Sequence, residues 1–175
     1  MRRRQSHSHV TADAPTHEQL VPFVEAAATV ADHGGLRPWR LIELRGAARE
    51  RLGEAFAKAE GVTGSEARKL GEKPLRASLL LAVVAVHQPS GKVPEWEQEA
   101  VASGVAHTLS LLLNEAGWGV FWRTGGYTRA KSVHKMHELA DNEKMMGWLY
   151  IGGIPAKTKP EKKHKLKTDR YLTAL

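Results

Sequence analysis

The stretch of residues 30–40 concentrates side chains that are able to contact a polar ligand. Asp32 and His33 are followed by two glycines, so a carboxylate, an imidazole and unshielded backbone N–H groups lie together in one loop. Pro38 fixes its own backbone and disfavours helix at the preceding residue, which aims Trp39 as a rigid aromatic. This composition fits either a ligand-binding loop or an ordinary connection between a helix and a strand.

Motifs for catalysis by side chains alone are missing from the sequence. There is no Gly-x-x-x-x-Gly-Lys-Ser/Thr phosphate loop and no Gly-x-Ser-x-Gly elbow, which argues against the common nucleotide and serine hydrolases. The glycines at 117 and 119 follow a predicted helix, and Trp122 stands where the dinucleotide fingerprint needs glycine. The absence of cysteine excludes thiolate nucleophiles and disulfides. An enzyme built on this chain must therefore take its chemistry from a cofactor.

Two polar clusters have simple structural interpretations. His134 and His137 lie three residues apart on a predicted helix; we expect surface histidines, and half of a metal site is the alternative. Glu95, Glu97 and Glu99 lie at the start of a predicted helix, where carboxylates complement the helix dipole. We therefore assign no metal site and no catalytic side chain.

The apolar pattern predicts the elements that position these groups. A capping box, Thr16-His-Glu-Gln19, begins a helix expected to extend to Asp32, with Pro22 distorting its first turns. The continuous apolar run 77–86 is typical of a central strand buried on both faces. Further helices are predicted over residues 47–60, 65–71, 95–116 (with Gly117 as its C′ residue) and 130–139, and further strands over 41–44, 120–123 and 147–152.

This order of strands and helices predicts an α/β (α+β) fold with a sheet covered by helices. A length of 175 residues with 42% hydrophobic content fits one domain, placed over residues 1–156 and followed by a basic tail over 157–175. No apolar stretch approaches the ~20 residues that span a bilayer. The arginine-rich start has no apolar run behind it, unlike a secretory signal. The sequence thus predicts a soluble cytoplasmic protein.

The formal net charge of +7 is concentrated in two terminal arms. Residues 157–170 contain seven basic and two acidic side chains, and Arg2, Arg3 and Arg4 add three positive charges. The rest of the chain is therefore close to neutral. Such arms are typical of solvated tails; capture of an anion near both chain ends and nucleic-acid binding are the alternatives. Tyr171 is the tail's single aromatic residue, which provides little stacking surface for a single-stranded nucleic acid.

Several separated segments together resemble the compact branch of the flavin-dependent nitroreductase family. Their order and spacing agree over residues 4–155, and the basic tail lies outside the resemblance. Family members usually have another helical turn or two before the first segment, so that helix is either absent here or encoded upstream. The segments are Arg4-Gln-Ser6, which is similar to the family's Arg-Arg-Ser start, residues 30–39, Lys92-Val-Pro-Glu-Trp-Glu-Gln98, Ala116-Gly-Trp-Gly-Val-Phe-Trp-Arg-Thr-Gly125 and Gly147-Trp-Leu-Tyr-Ile-Gly-Gly-Ile-Pro155.

The resemblance implies a mixed sheet flanked by helices and an intertwined homodimer, with FMN between the subunits and contacted by both. Arg4 and Ser6 match positions that hold the phosphate and ribityl end of FMN, a contact suited to arginine. Gln5 replaces the family's second arginine, a loss for which Arg3 or the basic tail would compensate. The alternative for Arg4 is a disordered terminus.

The other implied cofactor contacts come from two stretches. Trp122, Arg123 and Thr124 match a flavin-contacting stretch, although Trp122 also fits a core aromatic. Thr29 and His33 match positions that reach the flavin of the partner chain, with Asp32 between them. Thr29 stands where a basic residue can occur, and His33 also fits a helix-end cap.

The implied function is an NAD(P)H oxidoreductase with two-step flavin chemistry, in which a nitroaromatic, a quinone or a similar flat acceptor is reduced. Arg123, or backbone amides near Thr124, would stabilise the charge of the reduced flavin. The alternatives are a flavin-binding or flavin-storage module without turnover, favoured by Gln5 and the short start, and nucleic-acid binding through the basic tail.

Overall fold

The computed structural model describes residues 4–158 and 166–174. Five helices and four strands follow one another along these residues, with α2 and α3 consecutive, and short turns or single 3-10 turns join them. The helices are α1 (His17–Ala27), α2 (Ala47–Glu60), α3 (Gly64–Gly71), α4 (Glu95–Glu115) and α5 (Lys131–Met136), and the strands are β1 (Trp39–Leu44), β2 (Leu79–Val86), β3 (Trp118–Arg123) and β4 (Glu143–Gly153).

The capping box at the start of α1 is confirmed. The Thr16 hydroxyl accepts from the Gln19 backbone N–H at 3.3 Å, and the Gln19 side chain accepts from the Thr16 N–H at 2.9 Å. The helix includes Pro22 and ends at Ala27, so the extension to Asp32 was wrong. Beyond Ala27, Thr29 turns its hydroxyl back to the Ala26 carbonyl at 2.8 Å, and such bonding by threonine competes with the helix.

The α+β class and the helix-flanked sheet are confirmed, but the sheet is not mixed in strand direction. Its order is β1-β2-β4-β3, and all three neighbouring pairs are antiparallel. The strands β2 and β3 run in the same direction and are joined through α4, as in a parallel crossover. They are not neighbours, because β4 lies between them and runs the opposite way.

Each face of the sheet has its own apolar core. Leu79, Leu81 and Val83 of β2 pack with the α1 and α4 side, whereas the alternating Leu80 and Ala82 pack with the α2 and α5 side. All five are buried. The prediction of a central strand buried on both faces is therefore confirmed, and the site residues are sorted by which face they lie on.

The other boundaries differ by a few residues from the predicted ones. The strand β4 begins at Glu143 rather than at Gly147, since a bulge near Gly147 (φ 122) breaks the alternation that the sequence pattern would show. Gly117 has a φ of 89 after α4, as expected for a C′ residue. Among the described residues, no helix combines the length and apolarity needed to cross a membrane.

Candidate functional site

The N-terminal segment is fixed along the edge of the sheet. The His7 N–H donates to the Val120 carbonyl at 3.0 Å, and the Thr11 N–H donates to the Gly153 carbonyl at 2.8 Å. Gly152 makes room for this approach, because a Cβ built there would lie 2.7 Å from the Thr11 carbonyl oxygen. The segment that carries Arg4 is thus docked on β3 and β4, and the alternative of a disordered terminus does not describe residues 4–11.

Arg4, Gln5 and Ser6 line a cavity of about 180 Å³ whose opposite wall is Trp122. The Arg4 Nη1 donates to the Ser6 hydroxyl at 3.3 Å. Both side chains offer donors for an anion, and a guanidinium beside a hydroxyl is suited to a phosphate. The structure therefore brings these four predicted cofactor-binding residues together. We call the cavity that they line the first cavity.

Two residues of the first cavity were not predicted. His107 and Ser110, three residues apart on α4, complete its lining with Val120. The Ser110 hydroxyl donates to the Ala106 carbonyl at 2.7 Å. The available signal was two polar positions at helical spacing on an otherwise apolar helix, but only the packing of α4 against β3 shows that they face the N-terminal segment.

Trp122 and Arg123 lie on opposite faces of the sheet, because successive side chains alternate along a strand. Trp122 packs against the core on the α1 and α4 side. The Arg123 guanidinium lies over two rings on the other side, 4.5 Å from the centre of Phe121 and 5.1 Å from that of Tyr150. The structure thus does not bring the Arg123 side chain to Arg4 and Ser6, although the sequence pattern treated residues 122–124 as one stretch.

Thr124 is exposed just beyond β3 and, with Trp122 and Arg123, lines a larger cavity of about 410 Å³. We call this the second cavity. The indole Nε1 of Trp122 is buried and has no hydrogen-bond partner within the described part of the chain. Trp122 lines both cavities and is the residue that they share.

The Thr29–His33 stretch packs on the N-terminal half of α4, and none of its residues lines the first cavity. The exposed His33 Nδ1 is 2.8 Å from Glu97 Oε2, and the Arg37 backbone N–H donates to Asp32 Oδ2 at 2.7 Å. These contacts fix the loop, which includes a left-handed Arg37 with φ 47. His33 also lines a cavity of about 390 Å³ between this loop and α4. The two sets of predicted cofactor contacts thus do not share either of these two cavities.

Two histidines near these elements are buried rather than exposed. Burial, followed by the charge of Arg4, lowers the pKa of His7. His137 is 6% exposed, so its interpretation as a surface histidine was wrong. Its Nε2 accepts from Trp148 Nε1 at 3.2 Å, and its Nδ1 is 2.9 Å from the Val133 carbonyl. His134 is half-buried, with its Nε2 2.8 Å from the Thr128 carbonyl. Each ring is thus engaged separately.

The acidic helix start is confirmed, since Glu95 and Glu97 lie in the first turn of α4. Glu99 accepts from the Lys144 Nζ at 2.6 Å, which links α4 to β4. The predicted role of the basic tail rests mainly on residues that lie outside the described part of the chain, among them Lys159, Lys162, Lys163 and Lys165. Arg3, at the other end of the chain, also lies outside the described residues. The described residues 166–174 are exposed.

Comparison with known proteins gives agreement in sequence and in fold. Residues 1–153 match the nitroreductase family. The "Putative NAD(P)H nitroreductase YdjA" of Escherichia coli (strain K12) is 32% identical over 152 residues, which covers 85% of this chain and 83% of that protein. A nitroreductase-like family protein from Bacillus cereus superposes with a TM-score of 0.85 at 21% identity and covers 99% of this chain and 92% of its own. A variant of NfnB, an FMN and NADPH-dependent nitroreductase from sphigopyxis sp. strain HMH, gives a TM-score of 0.77 at 15% identity, with 99% and 95% covered.

Proposed function

Because this chain belongs to the nitroreductase family, we propose that it is an FMN-dependent NAD(P)H oxidoreductase that reduces nitroaromatics, quinones or similar flat acceptors. The observation that carries the proposal is the first cavity, where Arg4, Ser6 and Trp122 face one another. The same family supports the oxidoreductase class, while the choice of a flat acceptor rests on the flat ring system of the FMN that would be bound.

The residues of the first cavity fit one end of FMN. The Arg4 guanidinium and the Ser6 hydroxyl, 3.3 Å apart, would hold the phosphate through charge-assisted hydrogen bonds. Gln5 contributes polar atoms without charge, so Arg4 supplies the positive charge from the described part of this segment. The buried Trp122 Nε1, which has no partner among the described residues, offers a donor to a polar edge of the cofactor.

FMN, when bound, supplies hydride transfer from NAD(P)H to an acceptor, which is the chemistry that the side chains lack. The chain's own residues bind and orient. Arg4 and Ser6 would fix the anionic end, and the Trp122 indole would form a rigid wall that excludes water from one side. No side chain is required as a general acid or base in this proposal.

The first cavity of one chain is too small for the whole cofactor. Its volume of about 180 Å³ lies below the ~300–1,000 Å³ typical of ligand pockets. We therefore propose that a second copy of the chain closes the site with its own residues 29–33. Thr29 and His33 would contact the cofactor bound to the other subunit, and the Asp32 bond to the Arg37 N–H would hold that loop in shape.

The test is whether the purified protein binds FMN and turns over. We expect a yellow protein with flavin absorbance that oxidises NAD(P)H when menadione or a nitrofuran is added. A colourless protein that also fails to bind added FMN would contradict the proposal.

The alternative, a flavin-binding or storage module without turnover, is favoured by Gln5, which leaves one arginine fewer than in the family's usual segment. The two functions separate in an anaerobic stopped-flow experiment. Bleaching of the bound flavin by NADH or NADPH supports the oxidoreductase, whereas stoichiometric FMN that neither nucleotide reduces supports the storage module.

A further inference from the structure

The second cavity is lined by aromatic and basic side chains, most of which have no role in the proposed flavin chemistry. It lies mainly on the α2 and α5 side of the sheet, the face opposite to the Trp122 core packing, and encloses about 410 Å³. This volume is within the ~300–1,000 Å³ that ligand pockets occupy. Six of its lining side chains are aromatic, namely Phe56, Phe121, Trp122, Tyr127, Trp148 and Tyr150.

The aromatic floor of the second cavity is held in place by its own packing. Phe56 stacks on Tyr127 with ring centres 4.3 Å apart, and it meets Trp148 edge-on at 5.5 Å. Phe56 and Trp148 are only 3% and 2% exposed, so they support the floor from behind, and the half-buried Phe121 and Tyr127 present apolar surface to the cavity. Because this packing fixes the rings before a ligand arrives, the entropy cost of binding a flat ligand is lowered.

Three cations surround this aromatic floor without carboxylate partners. Lys73, Arg76 and Arg123 line the cavity, and within the described ranges 4–158 and 166–174 no carboxylate lies within 4.0 Å of their charged groups. Lys73 Nζ lies 5.2 Å from the Tyr127 ring centre. The Arg123 guanidinium lies over the rings of Phe121 and Tyr150, and its buried Nε has no hydrogen-bond partner within the described ranges. An unmatched positive charge at an aromatic surface favours an anionic ligand.

The tyrosines of the cavity do not neutralise this charge. Burial raises the pKa of Tyr150 to about 12, against the opposing effect of Arg123 and Arg76, so its hydroxyl is neutral at pH 7. Burial also raises the pKa of Tyr127, followed by its hydrogen bond with Glu60.

We propose that the second cavity is a separate ligand site that binds a planar aromatic carboxylate of one or two rings. The ring of such a ligand covers the aromatic floor, and its carboxylate meets the guanidinium groups, which form planar forks that match a carboxylate. A neutral aromatic molecule leaves the cations unmatched, and a small inorganic anion leaves the rings uncovered. Trp122, Arg123 and Thr124 are also assigned to FMN from the sequence, whereas the other seven lining residues have no part in the flavin proposal. The test therefore includes FMN as a competitor.

The experiment compares the binding of 2-naphthoate and its neutral isostere 2-naphthamide by titration calorimetry, with and without saturating FMN. We expect 2-naphthoate to bind with one molecule per chain, at least about tenfold tighter than the amide, as charge-assisted hydrogen bonds imply. The affinity should not change when FMN is added. Displacement of 2-naphthoate by FMN, equal affinity for the amide, or no binding at millimolar concentration would overturn the proposal.

Two double variants locate the site. Lys73→Gln with Arg76→Gln removes two cations of the cavity and should weaken 2-naphthoate binding about tenfold or more. Arg68→Gln with Lys69→Gln removes the same charge from exposed positions of α3 outside the cavity and should bind like the wild type. Thermal unfolding shows that each variant is folded. Equal effects of the two double variants would mean a general charge effect and would overturn the site.

Discussion

At the scale of single residues, the contact between Arg4 and Ser6 carries the cofactor proposal. Their side chains lie 3.3 Å apart on a segment docked along β3, and Gln5 between them brings no charge. A phosphate bound here would depend mainly on one guanidinium, so the site should be unusually sensitive to its removal.

Arg4→Ala should weaken FMN binding by roughly 1.5–3 kcal/mol, the range for a hydrogen bond to a charged group. Fluorescence titration of FMN measures the loss, and riboflavin, which has no phosphate, provides the matched ligand. Its affinity should change little. Arg51→Ala, on the exposed side of α2, is the control for charge. If riboflavin and FMN lose affinity equally, Arg4 acts on the fold of the segment rather than on the phosphate.

At the scale of elements, the position of the N-terminal segment depends on glycines of β3 and β4. A Cβ at Gly119 would lie 2.9 Å from Val10 Cγ1, and one at Gly152 would meet the Thr11 carbonyl oxygen. Such distances are too short for carbon atoms, so the strands approach the segment as closely as they do only because these side chains are absent.

Gly152→Ala should push the segment off the sheet and cost ~1–3 kcal/mol of stability by overpacking. Hydrogen exchange of the Thr11 N–H, which is bonded to the Gly153 carbonyl, should accelerate, and FMN affinity should fall with it. Gly91→Ala is the matched control, because a Cβ there has nothing within 4 Å. Unchanged exchange at Thr11 in Gly152→Ala would show that the segment is not anchored by this approach.

The junction of α5 with β4 contains a pH-sensitive contact. Burial lowers the pKa of His137, and its ring accepts from Trp148 Nε1 while its other nitrogen faces the Val133 carbonyl. Protonation would place two N–H donors against each other. Because the folded pKa is below the ordinary value of 6.5, the unfolded chain binds the proton first, so this contribution is complete above pH ~6.5 and is lost as the pH falls below it.

The free energy of unfolding should therefore decrease from pH 7 to pH 5 in urea titrations. His137→Gln, which is neutral at every pH, should flatten that part of the profile and lose ~1 kcal/mol at pH 7.5 through the altered hydrogen bonds. Parallel profiles for the variant and the wild type would assign the pH dependence to other groups, of which the buried His7 is one.

At the scale of the whole molecule, local patterns predicted the elements better than their faces and partners. The bounds of α2 agree residue for residue, since an amphipathic run ends at a glycine. Strand alternation places Trp122 and Arg123 on opposite faces of the sheet. The motif of residues 122–124, taken as one stretch, does not separate the two faces. The burial of His137 and the presence of His107 in the same cavity as Arg4 depend on how α5 and α4 pack, which no local pattern contains.

In the single chain, an apolar part of the α4 surface remains exposed to solvent. Trp96 is 68% exposed, and it borders the cavity of about 390 Å³ that also contains Val30, Val101 and His33. An apolar surface beside one half of a divided cofactor site is suited to a two-fold interface, in which each copy supplies the missing wall of the other's first cavity.

We expect light scattering to report about twice the chain mass of 19.3 kDa at micromolar concentration, and an obligate interface of this kind should bury more than ~2,000 Å². Trp96→Glu should raise the dissociation constant of the dimer about thirtyfold or more, since a central tryptophan at an interface contributes ~2 kcal/mol or more, and FMN affinity should fall because the second wall is weakened. Leu75→Glu, another exposed apolar position at 43%, should remain dimeric and retain FMN. A monomeric wild type that binds one FMN per chain would contradict both the shared site and the assignments of Thr29 and His33, because His33 and Arg4 line different cavities of the single chain.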